Sequence, residues 1–111
     1  MTAFNEELPY RISLTGGKYY PQVLSAITVR WANFTTELSD DDDEEVEYYI
    51  VCDTESEARS YLKARAERRL HFYQTCLHHR DDRDAYIRLA QIFVDKIHTA
   101  KIHHADLIGK R

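Results

Sequence analysis

The stretch Val46-Glu47-Tyr48-Tyr49-Ile50-Val51-Cys52-Asp53-Thr54-Glu55-Ser56-Glu57 holds the sharpest change of periodicity in the chain. Val46, Tyr48, Ile50 and Cys52 fall on one face of an extended segment, and Glu47, Tyr49 and Val51 on the other, which is the two-residue period of a β-strand. Asp53 or Thr54 then offers an N-cap oxygen. Glu55 and Glu57 put negative charge in a first helical turn, where the helix dipole favours it. A strand leading straight into a helix is therefore expected, and the rest of the chain is read outward from that junction.

Upstream, Leu8 to Leu14 alternates apolar with polar residues, with Pro9 near its start, as at a strand beginning or a sheet edge. Gly16-Gly17 supplies a turn. Between Val23 and Phe34 two periods compete. Val23, Leu24, Ile27, Trp31 and Phe34 fit a helical stripe behind Pro21, whereas Ile27, Thr28, Val29, Trp31, Phe34, Thr35 and Thr36 are strand formers and favour a strand over about 25–36. Downstream, a helix is expected over about 55–78. A break follows at Arg80-Asp81-Asp82-Arg83-Asp84, and a second helix runs over about 82–107, ended by Gly109. A connection this short makes the helices an antiparallel hairpin. The expected fold is α+β: a small antiparallel sheet of about three strands, followed by a two-helix antiparallel hairpin packed on one face. It forms a single domain over 1–111, with the sheet in about 8–53, an acidic hairpin loop at 38–45 and the helical hairpin in about 55–107.

At 111 residues, with 43% hydrophobic and 31% charged residues, three Gly and two Pro, the composition is that of one folded domain. The net charge of −4 conceals two opposed blocks. Eleven acidic residues and no Lys or Arg lie between Glu37 and Glu57, whereas from Ala58 onward twelve basic residues face six acidic ones. The N-terminus has no basic and apolar leader, and no apolar run reaches the ~20 residues that span a bilayer, so a cytoplasmic protein without membrane association is expected. Cys52 and Cys76 are expected to be free thiols.

On a helical wheel of the first helix, Ala58, Tyr61, Leu62, Phe72, Tyr73 and Cys76 share one face, with Arg65 and Arg69 in its middle. Two guanidinium groups on a buried stripe need acceptors. Either they pair at the core edge with carboxylates such as Glu45, Glu47 or Asp53, or they line an anion or partner site. Cys76 is expected to be a buried core thiol, and His104 a core histidine in the centre of the second helix's apolar face. That face is wide enough, with Ile87, Ile92, Val94 and Ile102 at its sides, to suggest a homodimer through the second helix. The His78-His79 and His103-His104 doublets point about 100° apart on a helix and cannot chelate one ion together, so no metal site is expected. Gly16-Gly17 lacks the spacing of a phosphate loop, and Asp40 to Asp43 lacks the alternation of a calcium loop. No nucleophile has a base and an oxyanion hole within reach of the pattern, so neither catalysis nor a cofactor is expected.

The functional expectation is a non-catalytic protein-binding module of the inhibitor, immunity, anti-defence or small-adaptor kind. Asp40, Asp41, Asp42, Asp43, Glu44 and Glu45 would present negative charge to a basic partner protein, with Tyr48 and Tyr49 as anchors. The alternative is nucleic-acid binding through Lys63, Arg65, Arg68, Arg69, Arg80, Arg83, Arg88 and Lys101, which Asp81, Asp82 and Asp84 interrupt.

Overall fold

The computed structural model describes residues 7–25, 27–38, 46–76 and 81–105. Among the described residues it is an α+β structure with six strands, β1 Tyr10–Thr15, β2 Lys18–Leu24, β3 Trp31–Asn33, β4 Thr35–Leu38, β5 Val46–Tyr49 and β6 Lys101–His104. Two helices, α1 Glu55–Cys76 and α2 Arg83–Lys96, stand between β5 and β6, and a short 3-10 turn at Ile97–Thr99 ends the second. The strands form a mixed four-stranded sheet in the order β3-β2-β1-β6 and a separate two-stranded ribbon of β4 and β5.

Gly16 and Gly17 both take positive φ, 57° and 77°, which closes the β1–β2 hairpin at little steric cost. Pro21 is the unexpected residue of β2. It sits opposite Ile12 of β1, in an interior strand where proline is normally excluded. Its carbonyl accepts a hydrogen bond from the Phe34 amide at 3.1 Å, so its nitrogen points to the same side. Having no N–H, it leaves the Phe34 carbonyl without the usual reciprocal donor. The Ile50 amide takes that carbonyl instead, at 2.8 Å. The chain consequently divides after β3 into the β4–β5 ribbon, and β2 next pairs with Cys52, whose backbone exchanges two hydrogen bonds with Tyr19. The segment expected as one strand over 25–36 is therefore two short ones, preceded by β2 where a turn and an ambiguous stretch had been read.

At the head of α1 the Thr54 hydroxyl accepts from the Glu57 amide and donates to the Glu57 carboxylate, both at 3.1 Å, so of the two expected N-cap candidates Thr54 caps the helix. The helix buries Ala58, Leu62 and Ala66, spaced four apart so that they fall along one stripe. They meet Tyr10, Ile12, Phe34, Cys52, Ile97 and Ala100 in the core. With 22 residues, α1 is roughly 33 Å long at 1.5 Å per residue, whereas a strand such as β2 with seven residues spans about 23 Å. Its later turns overhang the sheet, which explains why Phe72 and Cys76 are exposed. Cys76 is thus not the buried thiol expected. Only Cys52 is buried, and both thiols are free.

The second helix stops at Lys96, not near 107. The Thr99 hydroxyl caps the Lys96 carbonyl at 2.6 Å, and Ala100 turns to extended backbone. Lys101–His104 then adds to the sheet edge parallel to β1, with Arg11 opposite Lys101 and Leu14 opposite His104. His104 is correspondingly an exposed strand residue and not a core histidine of a helix. Ile102 packs on the core from β6. Arg59 holds this crossover in place: its guanidinium donates to the carbonyls of His98 and Ala100 at 3.1 and 2.9 Å, while Nε pairs with Glu55 at 2.7 Å.

Candidate functional site

The overhang of α1 opens a cleft of about 1000 Å³ between its later turns and the β3–β4 junction. Arg65, Arg68, Arg69, Phe72 and Tyr73 line it from the helix, and Asn33, Phe34, Thr35 and Thr36 from the strands, with Tyr10 and Tyr61 between. The helical residues follow from spacing. Positions 65, 68, 69, 72 and 73 are three or four apart and fall on one side of the last three turns. The opposite wall follows from the Pro21 split, which turns Thr35 and Thr36 into the start of the ribbon.

The two arginines read from the sequence are brought together here; of the carboxylates named for core-edge pairing, Glu45 and the side chain of Glu47 lie outside what is described, and Asp53 is engaged elsewhere. Asp53 engages Lys18 of β2 at 2.5 Å, and the hydrogen bond holds its carboxyl below the usual range. Arg65, half-buried, lays its guanidinium 4.9 Å above the Phe34 ring, a cation–π contact worth about 1 kcal/mol when part-exposed. Arg69 donates to the Tyr73 hydroxyl at 3.3 Å. Burial lowers its pKa, but the phenols of Tyr73 and Tyr10 outweigh that and leave it raised. Tyr10 in turn is raised by burial, against the opposing pull of Arg69 and Arg65. Arg68, named from the sequence only among the basic residues of the nucleic-acid alternative, is exposed and lines the cleft. Among the residues whose side chains are described, which leaves out Glu37 and Glu47, no Asp or Glu lines the cleft, and no carboxylate is within ion-pairing distance of Arg65, Arg68 or Arg69.

The walls are held by aromatic contacts. Phe34 meets Tyr61 edge-on at 5.4 Å and stacks on Tyr10 at 6.4 Å, and Tyr73 reaches Tyr86 of α2 at 5.5 Å. Such pairs add about 0.5–1.5 kcal/mol each beyond their buried area, so the floor is fixed while the rim at Phe72, 51% exposed, is open.

The second candidate surface is the ribbon. Asp40, Asp41, Asp42, Asp43, Glu44 and Glu45 lie outside the described residues, but β4 and β5 on either side pair antiparallel, with Leu38 opposite Val46 and Thr35 opposite Tyr49. The acidic run thus joins two paired strands. Tyr48 and Tyr49 are 56% and 60% exposed. As adjacent strand residues they point to opposite faces, so neither ribbon face is covered by described residues at that point. The apolar side chains of α2, Ile87, Leu89, Ile92, Phe93 and Val94, are all partly buried within the chain. Among the described residues no cluster of His, Cys, Asp or Glu is placed to hold a metal, and no helix is long and apolar enough to cross a membrane.

No protein-family model matches the chain, and no curated protein or solved structure is detectably similar to it.

Proposed function

We propose that the protein is a non-catalytic binding module, of the inhibitor, immunity, anti-defence or small-adaptor kind, that engages a basic surface of a partner protein through the β4–β5 ribbon. One observation carries the reading: Tyr48 and Tyr49 are both more than half exposed on opposite faces of a two-stranded ribbon. A strand pair in a small domain ordinarily packs one face on the core. Tyrosines are effective anchors because they bury a large rigid area at little entropic cost and keep a hydroxyl for hydrogen bonding. The acidic residues from Asp40 to Glu45 between the two strands supply the complementary charge, which speeds encounter with a basic surface and makes it sensitive to salt.

The test is affinity capture from the native host, comparing the unaltered chain with Tyr48→Ser/Tyr49→Ser and with Asp40 to Asp43 replaced by Ser. The expected result is one partner with a basic face, lost from the tyrosine variant and weakened in the acidic variant as it is in raised salt. Undiminished capture of the same partner by both variants would sink the proposal.

A further inference from the structure

The cleft on α1 has the opposite polarity to the ribbon and calls for a different ligand. Three guanidinium groups converge on a space with no carboxylate among its described lining residues. Among the described residues Arg65 and Arg68 make no hydrogen bond; the Arg65 guanidinium lies over the Phe34 ring, with the Tyr10 phenol near enough to feel its charge. An arginine has five donors in a fixed fork. Side chains three and four positions apart on a helix have Cβ atoms about 5–6 Å from one another, so the forks of Arg65, Arg68 and Arg69 can close on one small polyanion. A phosphate monoester, with nearly two charges and three acceptor oxygens, matches such a cluster better than a single carboxylate.

The remainder of the lining says what the phosphate is attached to. Phe72 offers an exposed ring beside Arg68 and Arg69, backed edge-on by Tyr73 at 6.0 Å. Across the cleft, Asn33 accepts from Gln22 through Oδ1 at 2.7 Å. Its amide N–H groups are left for another acceptor, and the Thr35 hydroxyl can act as donor or acceptor. A platform for stacking, with donors and an acceptor opposite, suits a flat heteroaromatic ring that presents both kinds of group on its edge. The volume is sufficient for a ligand of that size.

We infer that this cleft binds a nucleoside 5′-phosphate, with the phosphate on Arg65, Arg68 and Arg69 and the base against Phe72. The source is either a free nucleotide or the phosphorylated end of a single strand. This site is independent of the ribbon, so its failure would leave the partner proposal standing.

Calorimetric titration of the full chain separates the outcomes. The probes are adenosine 5′-monophosphate, uridine 5′-monophosphate, adenosine, inorganic phosphate, a short single-stranded RNA with a 5′-phosphate or a 5′-hydroxyl, and a phosphotyrosine peptide. Binding of the nucleotides at least about tenfold tighter than adenosine or phosphate is expected, equivalent to about 1.4 kcal/mol. Tighter binding of the 5′-phosphorylated RNA than of the mononucleotides would identify a strand end as the source, and the reverse a free nucleotide. Arg68→Glu, at an exposed position with no partner among the described residues, should reduce nucleotide affinity by at least about tenfold at unchanged melting temperature. Phe72→Ala should weaken nucleotide binding and leave phosphate binding unaltered. The inference is overturned if no nucleotide or RNA probe binds, if Arg68→Glu binds them as the unaltered chain does, if the 5′-hydroxyl RNA binds as well as the phosphorylated one, or if the phosphotyrosine peptide is preferred.

Discussion

Cys52 and Cys76 differ only in where the helix and sheet place them, and that difference sets their chemistry. Burial pushes the Cys52 thiol up, reinforced by the nearby carboxylates of Glu57 and Asp53, whereas Cys76 stands exposed on the overhanging end of α1. Since the thiolate is the nucleophile, iodoacetamide at mildly alkaline pH should modify Cys76 first, with Cys52 following only on unfolding. Mass mapping of the modified peptides checks the order, and equal rates would contradict the burial of Cys52. Tyr10 has a raised phenol for the same reason, burial, offset in part by Arg69 and Arg65. The folded chain therefore holds this proton more tightly than the unfolded chain. The associated stability is fully present below the ordinary phenol value near ~10 and is lost as pH rises through the folded value. Denaturant unfolding across that window should show a decline that Tyr10→Phe flattens.

Among the elements, the start of α1 was the most legible. Alternation ending at Cys52, then Asp53 and Thr54 before two acidic residues, marked the strand-to-helix switch, and the structure chooses Thr54 of the two possible caps. Thr54→Ala should accordingly cost about 1 kcal/mol, measurable as a fall in denaturant midpoint at unchanged slope. The end of α2 was much less legible. No Gly or Pro marks Lys96, and the apolar residues from Ile97 to Leu107 continue a helical stripe. What ends the helix is remote: the open edge of β1 takes Lys101–His104 as a parallel neighbour, and Arg59, 39 and 41 positions earlier, binds the His98 and Ala100 carbonyls at the crossover. Arg59→Met should lower stability by about 1–2 kcal/mol, in line with the loss of charge-assisted hydrogen bonds. Amide exchange should accelerate most in β6. Uniform acceleration would mean that Arg59 does not hold the crossover. Pro21 hid β2 in a similar way, because a proline argues against an interior strand until the neighbouring strand is seen to peel away beside it. Of the candidate site, the helical spacing of Arg65 and Arg69 was readable. The strand wall and Arg68's membership were not, since they depend on how far α1 outruns the sheet.

At the scale of the molecule, the basic half of the sequence is not one surface. Arg59 and Arg83 bind carbonyls that join elements, the latter reaching Gln74 at 2.9 Å. Arg65, Arg68 and Arg69 gather in the α1 cleft, with the acidic run attached to the ribbon that forms the cleft's other wall. The same arrangement fixes when the sheet can be completed. β1 acquires one neighbour across a two-residue turn but the other only from Lys101–His104, about ninety positions later. During synthesis its second edge therefore waits, bare, until nearly the whole described chain has left the ribosome, and an unpaired edge is a template for another strand. A chain cut after Ala100 should self-associate through β1, seen as oligomers in size-exclusion chromatography, and a monodisperse monomer would count against it. Premature termination or proteolysis at this one crossover would thus turn the bare edge of β1 into a seed for aggregation.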